Sequence, residues 1–266
     1  MPNALAQARE QLMLANRVIA SEGVLDAFGH VTMRHPTDPG RFLMSRSRAP
    51  ELVEENDILE FTLDSKPVRE TDVRLYGERV IHGEIYRARP DVNAVCHHHA
   101  PPIMPFCITG SDLKPVNHLG ATMGPKVPFW DSRDEFGDTN LIVAKPEEGA
   151  SLARALGPYW LVLMRRHGAT VAGITLHELV FRTIYTARNA AQQIQAHGLG
   201  SVAPLSAGET EMAGKYNLMP GPVARAWEYW TVRLQKAGGV PRPAVKASRG
   251  MRRSPAVKSK KRTRRR

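Results

Sequence analysis

Short apolar segments alternate with amphipathic helical segments along the chain, and this alternation limits the folds open to it. The strand-like segments lie near residues 28–34, 58–62, 92–99, 160–166 and 169–173, and the helix-like segments near 4–21, 71–88, 148–156 and 176–196. Such mixing predicts an α/β or α+β sandwich rather than a helical bundle or a barrel. No apolar run exceeds the length of a buried strand, so a membrane-spanning helix is not predicted.

Two of the strand-like segments carry histidines. Side chains two apart on a strand project from the same face, so His97 and His99 are predicted to point together and His98 away. The apolar segment 159–166 delivers His167 to its end, and a neighbouring strand would bring this third imidazole to the first two. Three imidazoles with an open coordination position suit zinc, iron, manganese or cobalt, and the sequence does not choose among these metals. Alternatively, His97 and His99 are a partly buried, hydrogen-bonded pair that holds no metal.

Glu78 precedes the histidine run, in a segment, 75–86, that is predicted to be helical and to end before Pro90. In a helix, Glu78 and His82 share a face. If that face meets the histidines, Glu78 is either a fourth metal ligand or a proton-transfer group beside the metal. The alternative is a glutamate on the solvent-exposed face of the helix.

Two further side chains are candidates for the site. Helical periodicity over 177–195 places Tyr185 and Asn189 one turn apart on one face. Tyr185 is therefore either a proton donor or a core tyrosine with a satisfied hydroxyl. His30 follows Gly29 in a turn that permits close approach of a substrate, and its alternative role is to cap the next strand.

The order of these residues resembles the class II aldolase/adducin superfamily. The matching elements are Gly29-His30-Val31-Thr32-Met33-Arg34, Glu78, His97-x-His99, His167-Gly168 and Gly173. The resemblance covers roughly residues 5–200 and implies a three-layer α/β/α sandwich around a central, largely antiparallel or mixed sheet. It also implies a divalent metal on His97, His99 and His167, a catalytic acid/base at Glu78, and a homotetramer with active sites at subunit interfaces.

Three stretches depart from the sugar-phosphate aldolases of this superfamily. Those enzymes carry Gly-Asn in the first glycine turn, a Thr-Gly or Ser-Gly pair in the second loop, and Ser-Ser before the glutamate, and together these bind a phosphate. The corresponding stretches here are Gly29-His30, Ser45-Arg46-Ser47-Arg48 and Tyr76-Gly77. Guanidinium and imidazole groups also suit a planar carboxylate. Arg46, with His30, Ser45 and Ser47, is therefore predicted to bind a carboxylate of the substrate.

Two strings, Gly29-His30-Val31-Thr32-Met33-Arg34-His35-Pro36 and Ser45-Arg46-Ser47-Arg48-Ala49-Pro50-Glu51-Leu52, resemble a branch of the superfamily linked to the breakdown of aromatic acids. Its members include decarboxylases of dihydroxyphthalate and of carboxylated muconic semialdehydes. Retro-aldol cleavage and decarboxylation both leave electrons on carbon, and a metal chelated by the substrate stabilises them as a Lewis acid. The resemblance therefore implies a metal-dependent decarboxylase of a hydroxylated aromatic or muconate-derived carboxylic acid. The leading substrate is 3,4-dihydroxyphthalate, with Glu78 or Tyr185 supplying the ring proton.

Three other functions stay open. A metal-dependent aldolase acting on a non-phosphorylated substrate would use the same residues. An iron-dependent oxygenase on the same fold would consume oxygen. A non-catalytic scaffold, as in the adducin branch, would be expected to lose the metal ligands, and here His97, His99 and His167 are all present.

The net charge of +11 comes from the carboxyl-terminal end. Residues 241–266 hold twelve lysines and arginines and no acidic residue, so residues 1–240 carry a net charge of about −1. The sequence therefore predicts a catalytic domain over 1–240 and a basic disordered tail over 241–266. The tail has no aromatic residues for base stacking, so it is either an optional extension or an arm that binds polyanions nonspecifically.

Two features favour a cytoplasmic location. The first residues form an amphipathic helix-like stretch in place of the apolar segment of a signal peptide. Two cysteines, Cys96 and Cys107, give no disulfide framework. We therefore expect the protein in a reducing compartment.

Overall fold

A central sheet carries the histidines in the computed structural model, which describes residues 4–239. Its strands are β1 His30–Arg34, β2 Arg41–Ser45, β3 Ile58–Thr62, β4 Ala94–His98, β5 Phe129–Trp130, β6 Leu161–Met164 and β7 Gly168–Gly173. Within the described range these seven strands are ordered β3-β2-β1-β4-β7-β6-β5. All neighbours are antiparallel except β5 and β6, which are parallel. The predicted tail, 241–266, lies outside the described residues.

Helices cover both faces of the sheet. They are α1 Ala4–Ser21, α2 Arg79–Ala88, α3 Met104–Thr109, α4 Arg133–Phe136, α5 Pro146–Leu156, α6 Leu176–His197, α7 Ala207–Asn217 and α8 Pro220–Lys236. No helix between residues 4 and 239 is long and apolar enough to cross a membrane.

Strand alternation divides the buried side chains into two cores. Val31, Cys96 and Val171 point from the central strands into the core formed with α1, α6 and α8. Val95 and Ala172 point the opposite way, into the core formed with α2 and α5. Residues on successive positions of a strand face opposite sides, so the central strands are buried on both faces. The predicted three-layer α/β/α sandwich with a largely antiparallel, mixed sheet is confirmed.

The prediction of a helix over 71–88 is wrong at its start. The helix α2 begins at Arg79, and Glu78 is its N-cap residue. The segment before it is held against another loop, because the Tyr76 hydroxyl donates a hydrogen bond to the carbonyl of Arg48. A tertiary contact therefore overrides the helical pattern there, and Glu78 sits where the chain turns into the helix.

Candidate functional site

A row of polar side chains crosses the three central strands. His30 on β1 is paired with His97 on β4, and His97 is paired with Thr170 on β7. Residues paired across neighbouring strands share a face, so all three side chains point toward the layer that contains α2. Their relative exposure is 2% or less. The register of the sheet therefore builds a buried polar row from residues far apart in sequence.

His97 gathers with two other histidines and Glu78. The Nε2 atoms of His97 and His99 are 3.0 Å apart. Glu78 Oε1 lies 3.3 Å from His167 Nε2, and Glu78 Oε2 lies 3.6 Å from His97 Nε2. One ligand atom from each of the four residues lies within 4.8 Å of the others. The structure thus brings together the residues predicted to hold a metal, whereas His98 points away and accepts a hydrogen bond from the Ala100 backbone.

Two glycines permit this close packing. Gly29 has φ +84°, and a Cβ there would lie 2.8 Å from the carbonyl oxygen of His97. Gly168 follows His167 as the first residue of β7, and a Cβ there would lie 2.4 Å from the carbonyl oxygen of His98. Any larger residue at either position would push the flanking histidine away from β4.

Glu78 is anchored from two directions. The backbone N–H of Val143 donates a hydrogen bond to Glu78 Oε1 over 3.2 Å. The Nε2 atom of His30 lies 3.8 Å from Glu78 Oε2. Burial by itself would raise the pKa of Glu78, but the imidazoles of His30 and His167 more than offset this and keep that pKa below its usual range. Glu78 is therefore an anion at neutral pH.

Burial favours the neutral form of the three clustered histidines. Burial lowers the pKa of His97, His99 and His167, and the crowding of the imidazoles adds to this effect for His97. Thr170 Oγ1 lies 3.2 Å from His97 Nδ1 and donates its own hydrogen to Met164 Sδ. His97 Nδ1 therefore donates to Thr170, which leaves a lone pair on Nε2.

This donor set fits a divalent metal. Neutral imidazoles with outward lone pairs and an ionised carboxylate are the ligands that zinc and its neighbours take. Ligand atoms around a tetrahedral zinc lie about 3.3–3.5 Å apart, given metal–ligand distances near 2.1 Å. The spacings of 3.0, 3.3 and 3.6 Å are close to that arrangement. The four residues can therefore surround one ion with small movements.

The cluster lies at a cavity of about 610 Å³. The three stretches that replace the phosphate-binding loops all reach its wall, through Gly29-His30, Ser47-Arg48 and Tyr76-Gly77. Two exposed apolar side chains, Phe28 and Ile142, also line it. The cavity therefore offers both polar groups and apolar surface to a ligand.

The structure places Arg46, predicted to bind a carboxylate, beside Asp57. Its Nε donates to Asp57 Oδ1 over 2.6 Å, and the side chain does not line the cavity. Ser45 is buried at the end of β2 and is also absent from the wall. The strand β2 ends at Ser45, so the alternation of side chains along a strand does not predict which way Arg46 and Ser47 point in the loop that follows. His30 and Ser47 line the cavity, as Arg48 does.

Sequence reasoning missed Arg74. Arg74 lines the cavity, and its side chain has no hydrogen bond or ion pair within residues 4–239. Arg48, by comparison, is paired with Asp57 and Glu54. No motif marks Arg74 in the sequence; its position follows from the backbone hydrogen bond that Ser47 donates to the Arg74 carbonyl over 2.8 Å.

The structure also contradicts an approach of Tyr185 to this chain's own site. Tyr185 lies on α6, and its ring makes tilted contacts with Phe181 and Trp230 in the core on the opposite face of the sheet. Helical periodicity places Tyr185 on one face of α6, but it does not say which face of the sheet the helix covers. Tyr185 is a packing residue in the single chain.

Comparison with known proteins agrees with this architecture. The chain is 35% identical over 239 residues to the decarboxylase tropJ of Talaromyces stipitatus, covering 82% of this chain and 90% of the fungal protein. It is 29% identical over 205 residues to the 3,4-dihydroxyphthalate decarboxylase of Arthrobacter keyseri, covering 73% of this chain and 81% of that protein.

A solved structure shares the fold. The L-fuculose 1-phosphate aldolase from Glaciozyma antarctica superposes with a TM-score of 0.73 at 21% identity, covering 88% of this chain and 90% of the aldolase. At that identity the likeness concerns the fold alone. Residues 10–194 match the family described as Class II Aldolase and Adducin N-terminal domain. The chain therefore belongs to the class II aldolase and adducin family.

Proposed function

We propose that the protein is a metal-dependent decarboxylase of a hydroxylated aromatic carboxylic acid, with 3,4-dihydroxyphthalate as the leading substrate. The observation that carries the proposal is the meeting, in one cavity, of the Glu78, His97, His99 and His167 cluster with the unpaired guanidinium of Arg74. The similarity to two decarboxylases supports the reaction class.

The chain's own residues account for binding. A metal held by His97, His99 and His167 would act as a Lewis acid on the electrons left when the carbon–carbon bond breaks. Arg74 binds the carboxylate that stays on the ring, taking the role first predicted for Arg46. Phe28 and Ile142 supply apolar contact for the ring.

Glu78 accepts a proton from the substrate and returns it. Because it is ionised at neutral pH, it can accept the proton of the phenolic hydroxyl next to the departing carboxylate. The carboxylate then leaves as carbon dioxide, and the electron pair of the broken bond stays on the ring carbon. Glu78 returns the proton to that carbon. A solvent proton restores the phenolic hydroxyl, so from 3,4-dihydroxyphthalate the product is 3,4-dihydroxybenzoate: hydrogen replaces one ring-bound carboxylate, which leaves as carbon dioxide, and one proton is taken up from solvent.

The reaction class is tested with a substrate panel. Full-length protein loaded with zinc, manganese, iron or cobalt is incubated with ortho-hydroxy aromatic acids, and products, carbon dioxide and oxygen uptake are followed. Carbon dioxide release without oxygen uptake is the expected result. Oxygen uptake would identify an oxygenase instead. Silence on the acids, with metal confirmed on the protein, together with cleavage of a non-phosphorylated aldol, would identify an aldolase.

We also propose that residues 1–240 form the catalytic unit and that the protein assembles as a homotetramer with sites at subunit interfaces. Truncation after residue 240 is expected to leave turnover unchanged, and loss of turnover would contradict this division. Light scattering of the full-length protein measures the assembly, and a monomer at assay concentration would overturn the tetramer.

A further inference from the structure

A buried chain of hydrogen bonds runs from the catalytic cavity to the interior of the α2 layer. His30 Nδ1 lies 2.7 Å from His82 Nε2, and His82 Nδ1 lies 2.7 Å from Thr32 Oγ1. Thr32 Oγ1 lies 2.8 Å from the Tyr86 hydroxyl. Each of the four side chains is at most 2% exposed. We call these four residues the His30 relay; the site chemistry described above uses its first member alone.

The shortest contacts of the relay select one arrangement of its hydrogens. A buried phenol hydrogen needs an acceptor, and Thr32 Oγ1 provides it for Tyr86. The Thr32 hydrogen then goes to His82 Nδ1 at 2.7 Å in preference to the Val95 carbonyl at 3.5 Å. A neutral imidazole carries one hydrogen, so His82 carries its hydrogen on Nε2 and donates it to His30 Nδ1.

The hydrogen bond from His82 determines which ring nitrogen of His30 carries hydrogen. Because its Nδ1 accepts from His82, a neutral His30 carries its hydrogen on Nε2. That Nε2 faces Glu78 Oε2 at 3.8 Å and borders the cavity. An N–H in this position points at an anion and toward the space for a substrate oxygen, whereas a bare lone pair there would repel both.

We propose that His82 is a positioning residue: with Thr32 and Tyr86 it holds His30 in the tautomer with hydrogen on Nε2, so that an N–H faces the Glu78 carboxylate and can donate to the substrate. The effect on turnover rests on the proposed decarboxylase function, but the tautomer does not. An N–H donor at His30 keeps the Glu78 carboxylate in place and holds a substrate oxygen beside it.

The tautomer is measured directly. Zinc-loaded, full-length protein labelled with ¹⁵N-histidine gives ring nitrogen shifts that report which nitrogen carries hydrogen, and His30→Gln assigns the His30 signals. We expect hydrogen on Nε2 and none on Nδ1. Hydrogen on Nδ1, or an imidazolium with hydrogen on both nitrogens, would overturn the proposal whatever the enzyme activity.

Variants distinguish a positioning role of His82 from an effect on the folding of the protein. His82→Gln can still donate a hydrogen bond to His30 Nδ1, and His82→Met cannot. Thr32→Val removes the hydrogen donated to His82 while keeping the shape of the side chain. Thr186→Val is the matched control, because the Thr186 hydroxyl is equally buried on the other face and has no hydrogen-bond partner in the described part of the chain.

His82→Met and Thr32→Val are expected to shift the His30 tautomer and to lower kcat by about 10- to 100-fold, with zinc content unchanged. His82→Gln should restore the tautomer and most of kcat, and Thr186→Val should change neither. An unchanged tautomer in both His82→Met and Thr32→Val would refute the role of the relay. A shifted tautomer with wild-type kcat would show that the His30 relay does not contribute to turnover. Absence of decarboxylation in the wild type, with the tautomer as expected, would refute only the proposed function.

Discussion

On the central strands, the side chains that point toward α2 and those that point toward α6 differ in kind. Toward α2 the row of His30, His97 and Thr170 is polar, and each member has a hydrogen-bond partner. Toward α6 the neighbouring positions, Val31 and Cys96 among them, belong to a large apolar core. Both faces are buried, so burial alone does not explain the difference.

Both faces bury polar atoms without a hydrogen bond in the described structure, His167 Nδ1 at the metal cluster among them, but the α2 side also carries a continuous paired series. On the α6 side, the hydroxyl of Thr186 and Nε2 of His98 are buried without a hydrogen bond in the described structure. On the α2 side, His30, Thr32 and His82 form a continuous series of bonds of 2.7 Å. Buried polar groups are costly unless they are paired, so a fully paired series is the arrangement expected of a functional site.

The largest expected difference between the two faces is the one between variants of the adjacent residues His97 and His98. His97→Asn keeps an atom for the bond to Thr170 but removes Nε2, so zinc binding should be lost. Turnover should fall by on the order of 1,000-fold, since a Lewis acid supplies several kcal/mol of stabilisation. Metal content by mass spectrometry and initial rates measure both effects.

The control is His98→Asn, which keeps an acceptor for the Ala100 backbone on the opposite face. It should retain metal and turnover. Equal losses in the two variants would show that the two faces do not differ in function.

Glu78→Gln tests, within the α2 side, whether the Glu78 carboxylate transfers the proton. The amide keeps the size of the side chain but cannot accept and return a proton, so kcat should fall by about 10²- to 10⁴-fold. Metal content should stay close to that of the wild type. Glu84→Gln, on the same helix, serves as the control, and a wild-type rate in Glu78→Gln would remove Glu78 from the proton-transfer role.

Arg74→Gln is expected to have a smaller effect that depends on the substrate. Loss of one exposed, charge-assisted hydrogen bond should raise KM for 3,4-dihydroxyphthalate by about tenfold. KM for 2,3-dihydroxybenzoate, which lacks the second carboxylate, should not change. Arg225→Gln, an exposed arginine on α8, is the matched control; equal changes in KM for both substrates would rule out carboxylate recognition by Arg74.

Tyr185→Phe should have the smallest effect. The hydroxyl lies in the α6 layer, and the ring contacts with Phe181 and Trp230 are kept in the variant. We expect kcat within about twofold of the wild type, because a general acid would contribute at least 10²-fold. A loss of that size would mean that Tyr185 reaches the site of a neighbouring subunit.

Local periodicity predicted the parts of the site that lie on regular strands. The alternation around His97 and His99, and the position of His167 after an apolar run, needed no information beyond the strand pattern. The helices α1, α5 and α6 were predicted within two residues of their observed bounds. These features depend on neighbours in sequence.

Other features depend on contacts between distant segments. The start of α2 is set by the contact of Tyr76 with Arg48, and the position of Arg46 away from the cavity wall is set by its pairing with Asp57. The strand β2 was missed because its apolar run is three residues long, and it is stabilised by pairing with β1 and β3. No local pattern encodes such pairings.

The central claim is that the α2 side of the sheet forms a metal-dependent decarboxylase. Its most direct test is the initial rate of carbon dioxide release from 3,4-dihydroxyphthalate by full-length protein, before and after chelation and after return of zinc, manganese, iron or cobalt. The account predicts release that stops on chelation and returns with at least one of these metals. Release that continues at the full rate in protein shown to be metal-free would contradict it.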